Sequence, residues 1–280
     1  MTGKLIVVGT PIGNLSDFSP RAEATLREAD FIAAEDTRVT LKLMNHFNIK
    51  KPMVSYFEHN KRERGGIICD RIEAGETCAL VSDAGMPAIS DPGELLVAQC
   101  AERGIQVLVV PGPSAVVSAL AVSGLPTGRF TFEGFLSVSK KSRREHLEQV
   151  KNERRTMIFY EAPHKLATTL NDMLAVWGDR RIALVRELTK IHEEVIRTTL
   201  SEAAQRYTDG GAKGEFVLVI EGAPAPQQTE YGVEDGVAIA RGLIAGGLSA
   251  SEAAKQAAAE TGLKKGDIYK ALLNQDGAEE

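Results

Sequence analysis

Residues 5–14 have the sequence Leu-Ile-Val-Val-Gly-Thr-Pro-Ile-Gly-Asn, a short apolar run followed by a glycine turn. The apolar run is typical of a buried strand, and the turn contains residues that interrupt regular structure. Further along, Ser19 can cap a helix whose first turn contains Pro20. This order of strand, turn and helix predicts the first crossover connection of a parallel α/β sheet.

Similar apolar runs recur along the chain and alternate with helical patterns. In the first part of the chain they predict the strands Leu5–Val8, Phe31–Ala34, Met53–Tyr56, Ala79–Ser82 and Val107–Val110. An apolar helix at Ser114–Ser123 precedes a second block of runs that are rich in β-branched and aromatic residues. These runs predict the strands Phe130–Phe135, Met157–Tyr160, Ile182–Val185, Val195–Thr199 and Phe216–Ile220. We therefore expect an α/β fold with a parallel-sheet N-terminal domain and a mixed-sheet, α+β second domain.

The predicted domains are 1–115, 116–225 and a small helical module at 229–280. The segment 223–228, Ala-Pro-Ala-Pro-Gln-Gln, is typical of a semi-rigid linker. After it, Ser249 and Glu252 match a capping box, and Gly262 separates that helix from another at Lys264–Leu273. Two interpretations of the C-terminal module remain open: a helix-turn-helix-like module, or a small helical cap that packs on the body.

Composition excludes several classes of protein. With 280 residues, 43% of them hydrophobic, the chain can bury a full core, and its net charge of −5 argues against coating nucleic acid by bulk electrostatics. The three cysteines lack the spacing of a disulfide framework or zinc site, which predicts no metal and a reducing compartment. The N-terminus lacks an export signal, and prolines and glycines interrupt the apolar stretch 105–128, so we expect a cytoplasmic protein without a membrane partner.

Three turns that follow predicted strands point to a binding site. They are Gly9–Asn14, Ser82–Gly93 and Val110–Ala115, after the first, fourth and fifth strands. Ligands of open α/β sheets bind outside the carboxyl ends of the strands, where these turns should meet. The first turn is not a Gly-x-Gly-x-x-Gly motif, and Pro11 removes one backbone amide, which disfavours a nicotinamide dinucleotide.

Seven motifs, taken together, resemble those of a known enzyme family. They are Val-Gly-Thr-Pro-Ile-Gly-Asn (8–14), Glu-Asp-Thr-Arg (35–38), Ser-Asp-Ala-Gly-Met-Pro-Ala-Ile-Ser-Asp-Pro-Gly (82–93), Pro-Gly-Pro-Ser-Ala (111–115), Glu-Gly-Phe (133–135), Phe-Tyr-Glu-Ala-Pro-His (159–164) and Arg-Glu-Leu-Thr-Lys (186–190). As a set they are similar to the 16S rRNA cytidine 2′-O-methyltransferase I family, within the tetrapyrrole-methylase-like class III methyltransferases. The motifs span nearly all of residues 4–222, and Met86 stands where the family pattern has threonine.

The resemblance implies two α/β domains with S-adenosylmethionine (AdoMet) in the cleft between them, and a homodimer. It implies AdoMet-dependent 2′-O-methylation of a cytidine in the decoding region of 16S rRNA, within the 30S subunit. Carried over motif by motif, the expected cofactor contacts are Pro11, Asp83, Gly85, Ala88, Ile89, Ser90, Ser114, Ala115 and Tyr160.

A ribose hydroxyl is a poor nucleophile at neutral pH, so its methylation calls for a positioned base. The candidates for this base are Glu35 and Asp36, at the end of the second strand, and also His59 and Asp83. Arg38 is predicted to hold a phosphate bidentately. In the alternative interpretation, Glu35 or Asp36 caps the next helix, Arg38 pairs with them, and His59 is a surface loop residue.

Contact with RNA has to come from local patches because the net charge is negative. One basic segment runs from 140 to 155, and another begins at 61. The predicted RNA contacts are Lys61, Arg62, Arg64, Lys140, Lys141, Arg143 and Arg144. Two other functions remain open: an AdoMet methyltransferase that acts on a tetrapyrrole or another small molecule, and a non-catalytic RNA-binding or ribosome-assembly protein.

Overall fold

The computed structural model describes residues 3–208, 211–225 and 231–276. The chain divides into two compact units, Met1–Pro224 and Ala225–Glu280. The first unit contains two five-stranded sheets with helices between the strands, which confirms the predicted α/β class. The boundary predicted at 115–116 falls inside this unit and stays a prediction, and residues 226–228 of the predicted linker lie outside the described residues.

The first sheet is parallel throughout. Its strands are β1 (Lys4–Val8), β2 (Phe31–Ala34), β3 (Met53–Ser55), β4 (Thr77–Val81) and β5 (Gln106–Val110). The helices that connect them are α1 (Pro20–Glu28), α2 (Thr37–His46), α3 (Lys61–Glu73) and α4 (Gly93–Glu102), with a short 3-10 turn at Leu15–Asp17. The strand order β3-β2-β4-β1-β5 places β1 between β4 and β5, so the turns after these three strands leave the sheet side by side.

Both faces of the first sheet are buried, because successive side chains of a strand point to opposite faces. Leu5 and Val7 belong to one core cluster, together with the free, buried cysteines Cys69, Cys78 and Cys100. Val8 belongs to the cluster on the other face, with residues of α1 and α2. The predicted start of α1 is confirmed: its first residue is Pro20, and the Ser19 hydroxyl accepts a hydrogen bond from the Ala22 amide at 3.1 Å.

The second sheet is mixed, as predicted. Its strands are β6 (Phe130–Phe135), β7 (Thr156–Glu161), β8 (Arg181–Arg186), β9 (Glu194–Thr199) and β10 (Phe216–Ile220). They are accompanied by α5 (Ala115–Ser123), α6 (Lys140–Gln149), α7 (Pro163–Trp177) and α8 (Leu200–Arg206). In the order β6-β7-β10-β8-β9, only β6 and β7 pair in parallel. Helix α5 packs on one face and α6, α7 and α8 on the other.

The second unit has three helices in the described residues: α9 (Val233–Ala245), α10 (Ala250–Thr261) and α11 (Lys265–Asp276). The predicted cap of α10 is confirmed, since the Ser249 hydroxyl accepts from the Glu252 amide. Helix α9 was not predicted, because its two glycines weaken the helical signal. A Cβ on Gly236 would lie 2.9 Å from the side chain of Ile268, so α9 and α11 pack closely at this glycine. None of the described helices is long and apolar enough to cross a membrane.

The prediction that Arg143 contacts RNA is wrong. Its side chain is only 8% exposed and forms an ion pair with Asp172 of α7 at 2.8 Å, where Asp172 is 10% exposed. Its guanidinium also donates to the carbonyl oxygens of Ser137 and Val138 at 3.1 and 3.2 Å. Arg143 therefore joins α6 to α7 and to the loop before α6, and it is not available at the surface.

Replacement of Arg143 by alanine is expected to lower the free energy of unfolding by about 3–5 kcal/mol, because it leaves the Asp172 carboxylate buried without its main partner. Lys141→Ala is the matched control: Lys141 is 86% exposed, 3.9 Å from Glu145, and should cost less than about 1 kcal/mol. Urea denaturation followed by circular dichroism measures both. Equal losses for the two variants would contradict a structural role for Arg143.

Candidate functional site

The turns after β1, β4 and β5 meet at the carboxyl edge of the first sheet. The Thr10 amide donates to the Gly85 carbonyl at 2.9 Å, and the Gly85 amide donates back to Thr10 at 3.2 Å. The Gly9 amide donates to Val110 at 3.1 Å. The Gly112 amide lies 3.2 Å from the sulfur of Met86, the residue that departs from the family pattern. Turns that lie far apart in the sequence are therefore held together by backbone contacts.

Gly9 and Gly112 allow this approach because neither carries a side chain. A Cβ on Gly9 would lie 2.6 Å from the Cα of Gly112, and a Cβ on Gly112 would lie 2.8 Å from the Cα of Gly9. Both distances are too short for real atoms, and the obstacle is backbone, which cannot rotate away. These two glycines are therefore required by the contact between the turn after β1 and the turn after β5.

The turn after β4 adopts a strained backbone conformation. Ala88 and Ser90 have φ angles of +69° and +63°, in the left-handed region that non-glycine residues rarely occupy. The Asp91 carboxylate holds this loop by accepting from the amides of Ala88 and Gly93 at 2.9 and 2.7 Å. Strain of this kind costs about 1–3 kcal/mol for each residue and is concentrated at functional sites.

A cavity of about 550 Å³ lies between these turns and the second sheet. Seven of the predicted cofactor contacts line it: Asp83, Gly85, Ile89, Ser90, Ser114, Ala115 and Tyr160. The two other predicted contacts, Pro11 and Ala88, are not among the lining residues, and Ala88 instead donates its amide to Asp91. The geometry thus gathers most of the predicted set around one cavity, although it does not by itself assign them a ligand.

The second sheet contributes an aromatic and apolar wall that sequence reasoning largely missed. Phe135 at the end of β6 lies 5.3 Å from the ring of Tyr160 and is 57% exposed. Leu188 and Val185 also line the cavity, as does the buried Glu161. Since β6 and β7 are parallel neighbours, their carboxyl ends share an edge, so the quoted motif Glu-Gly-Phe could have indicated Phe135 as a lining residue.

Of the candidates for the catalytic base, Glu35 and Asp83 line the cavity. The Glu35 carboxylate accepts weakly from the Asp83 amide at 3.4 Å. Burial raises the pKa of Glu35, and the neighbouring charges of Asp83, Asp91 and Asp36 add to this effect. Burial also raises the pKa of Asp83. A carboxylate with a raised pKa beside a cavity has the properties of a general base.

Asp36 and Arg38 do not occupy the positions expected of catalytic groups. Asp36 caps α2 by accepting from the Arg38 amide at 2.8 Å, and its carboxylate pairs with the Arg38 guanidinium at 2.6 Å. These hydrogen bonds lower the pKa of Asp36 to about 2, which makes it a weak base. The capping and pairing alternative therefore describes both residues. His59 is exposed and is not among the lining residues.

The remaining basic residues of the predicted RNA contacts lie at the starts of two helices. Helix α3 begins at Lys61 after the loop that leaves β3, and Arg62 and Arg64 are exposed on it. Helix α6 begins at Lys140 after the loop that leaves β6. Each of these loops leaves the carboxyl end of its strand, so each basic helix starts at the sheet edge that carries the cavity.

Comparison with known proteins agrees with this architecture. The family model of the tetrapyrrole (corrin/porphyrin) methylases matches residues 4–204. A protein of Halalkalibacterium halodurans named ribosomal RNA small subunit methyltransferase I is 50% identical over 270 residues, 95% of this chain and 93% of its own. The Synechocystis protein of the same name is 47% identical and aligned over 97% and 98% of the two chains. The fold is also that of a Thermus thermophilus uroporphyrin-III C-methyl transferase solved with S-adenyl homocysteine (TM-score 0.55, 18% identity, 78% and 97% coverage).

The match of the family model over residues 4–204 assigns this chain to the tetrapyrrole methylase class. Within this class, the chain belongs to the ribosomal RNA small subunit methyltransferase I family, since relatives of that name from Halalkalibacterium halodurans and Escherichia coli O157:H7 are 50% and 41% identical to it over most of their length.

The raised pKa of Glu35 predicts how the free energy of unfolding depends on pH. A carboxyl group with a higher pKa in the folded than in the unfolded state destabilises the fold once it ionises. Glu35→Gln should therefore gain stability relative to the unmodified chain as pH rises from about 4.5, the ordinary pKa, through the raised pKa. Asp36→Asn should behave in the opposite way, losing stability at neutral pH and matching the unmodified chain near pH 2.

Thermal unfolding between pH 2 and pH 8 tests this pair of variants. The difference in stability between each variant and the unmodified chain, taken at each pH, isolates the contribution of the substituted carboxyl group. A Glu35→Gln variant that loses stability with rising pH, relative to the unmodified chain, would show that the carboxylate is favourably solvated.

Proposed function

We propose that this protein transfers a methyl group from AdoMet to the 2′-hydroxyl of a cytidine in the decoding region of 16S rRNA, within the 30S subunit. The observation that carries the proposal is the position of Glu35, a carboxylate of raised pKa at a cavity large enough for a cofactor. The names of relatives that share 41–50% of their residues with this chain support RNA as the substrate.

The residues of the cavity fit AdoMet. A volume of about 550 Å³ lies in the range typical of small-molecule sites. Ile89, Phe135 and Tyr160 offer apolar and aromatic surface for an adenine ring. The carboxylates of Glu35 and Asp83 suit the positive charge of a sulfonium group, and the start of α5 after Ser114 offers backbone amides to a carboxylate.

When bound, AdoMet would supply a methyl group activated by a positively charged sulfur. The strained loop from 82 to 93 and the turns bonded to it fix the walls of the site before binding, which lowers the entropic cost of aligning the reactants. The Glu35 carboxylate would accept the proton of the ribose hydroxyl, which makes that oxygen a better nucleophile. The Asp83 carboxylate, which accepts from the Asp36 amide at 3.0 Å, keeps the neighbouring strand end in place.

The acceptor would approach from the edge that carries the basic helices. Arg62 and Arg64 on α3 and Lys140 on α6 are exposed cations, and Arg144 on α6 is exposed but lies 3.4 Å from Asp172. Lys61 and Lys141 add to them, although each also faces a glutamate of its own segment. Such contacts position a nucleic acid without reading its sequence.

Replacement of Ser114 by tryptophan should weaken AdoMet binding at least about a hundredfold, because the added ring occupies the cavity. The fold should persist, since the Ser114 side chain makes no capping hydrogen bond. Val117→Trp, on the exposed side of the same helix, is the control. Isothermal titration calorimetry measures both, and undiminished affinity in Ser114→Trp would place the AdoMet site elsewhere.

Replacement of Glu35 by glutamine should lower kcat about 10²–10⁴-fold, the contribution of a positioned base. The KM for AdoMet should change much less, because the base acts on the transition state. Glu102→Gln, an exposed carboxylate on α4, is the control. Labelled AdoMet and 30S subunits provide the assay, and near-normal turnover by Glu35→Gln would assign the proton transfer to another group.

Mass mapping of methylated ribose in 16S rRNA, from cells with and without this protein, tests the acceptor. The proposal predicts one cytidine whose 2′-O-methyl group disappears with the protein. An unchanged rRNA together with a methylated small molecule would favour the tetrapyrrole alternative.

A further inference from the structure

A second, larger cavity of about 1240 Å³ lies at the other end of the second sheet. Thr156, the first residue of β7, lines this cavity, whereas Glu161, the last residue of β7, lines the cavity of the proposed active site. A strand rises about 3.3 Å per residue, so the two cavities are separated by roughly 16 Å. The second cavity is therefore separate from the cofactor cleft, and the proposed reaction leaves it without a role.

Arginines and acidic residues both line this second cavity, but the acidic residues already have partners. Glu153 pairs with Arg155 at 2.6 Å, an interaction that lowers the pKa of Glu153 to about 2. Asp179 accepts from the amide and the hydroxyl of Ser201 at 2.9 and 2.8 Å. The third acid, Glu221, forms an ion pair with Arg181 at 2.5 Å.

Of the other arginines of the cavity, Arg180 is close enough to Glu221 to interact with its charge but forms no ion pair with it, and Arg129 and Arg154 have no carboxylate partner among the described residues. Arg129 and Arg154 are exposed, and the described part of the chain offers their side chains no hydrogen bond or ion pair. Arg180 is only 8% exposed. Four arginines and three carboxylates therefore line the cavity, which leaves a small excess of positive charge.

Arg180 is the strongest indication of a ligand. Its Nη2 donates to the Lys151 carbonyl at 2.6 Å, and its guanidinium carbon lies 5.3 Å from the centre of the Trp177 ring. Its Nε and Nη1 are buried without a hydrogen-bond partner in the described structure. Burial also lowers the pKa of Arg180, because it disfavours the charged form. Buried donors of a charged group without acceptors are costly, and an anion would supply both the acceptors and the opposite charge.

We propose that this cavity is a phosphate-binding site built on Arg180, Arg129 and Arg154, and that it holds a backbone phosphate of the RNA substrate. The planar guanidinium fork matches the geometry of phosphate oxygens, and several arginines suit a dianion or a polyanion better than a single carboxylate. The RNA part rests on the proposed function. The phosphate site itself does not.

Inorganic phosphate is the probe for the site, added to the full-length chain and followed by broadening of its ³¹P resonance. The double variant Arg129→Gln/Arg154→Gln should bind phosphate at least about tenfold more weakly, since it loses two charged donors. Both residues are exposed, so the fold should be retained. Lys50→Gln is the control, because Lys50 is an exposed cation that precedes β3 of the first sheet. Equal broadening in all three proteins would overturn the site.

The salt dependence of binding to an RNA fragment of the small subunit identifies the source of the phosphate. Loss of one phosphate contact should reduce the slope of log K against log salt concentration by about one in the double variant. Weaker phosphate binding with an unchanged slope would support the cavity but overturn RNA as its ligand.

AdoMet titration of the same proteins separates this proposal from the proposed function. The double variant should bind AdoMet as the unmodified chain does, because the two cavities lie at opposite ends of β7. A chain that binds phosphate through these arginines but neither binds AdoMet nor methylates RNA would overturn the proposed function while supporting the phosphate site.

Discussion

The contact between the backbones of Gly9 and Gly112 is the constraint on which the rest of the site depends. The two turns approach so closely that neither residue could carry a Cβ, and the pair of hydrogen bonds between Thr10 and Gly85 adds the turn after β4 to the same assembly. Because β1 lies between β4 and β5, this contact draws three turns together. A cavity with fixed backbone walls results, and the second sheet closes it with Phe135 and Tyr160.

Electrostatics divides adjacent acidic residues into different roles. Asp36 accepts hydrogen bonds from the Arg38 guanidinium and from amides at the start of α2, and these hydrogen bonds lower its pKa to about 2. Glu35, one residue earlier, points into the cavity, where burial raises its pKa. The two carboxyl groups are neighbours in sequence, yet one stabilises the start of α2 and the other is available to accept a proton.

The same distinction applies to the arginines of the second sheet. Arg143 is buried and neutralised by Asp172, so its charge stabilises the packing of α6 against α7. Arg180 is equally buried but keeps two donors without acceptors. A buried cation with a complete set of partners is part of the framework, whereas one with an incomplete set indicates a ligand.

The amino-acid sequence by itself determined the fold class and nearly every strand, because apolar periodicity, turn residues and helix caps are local signals. It also indicated that the turns after β1, β4 and β5 would share an edge, since parallel strands end on the same side of a sheet. The pairing of charged groups was decided only by the tertiary structure. Arg143 meets a partner 29 residues away, and the cavity that Glu35 enters is completed by Phe135 and Tyr160 of another sheet. Whether a charged residue is exposed, paired or left with unfilled donors depends on distances set by packing, and no local pattern encodes those distances.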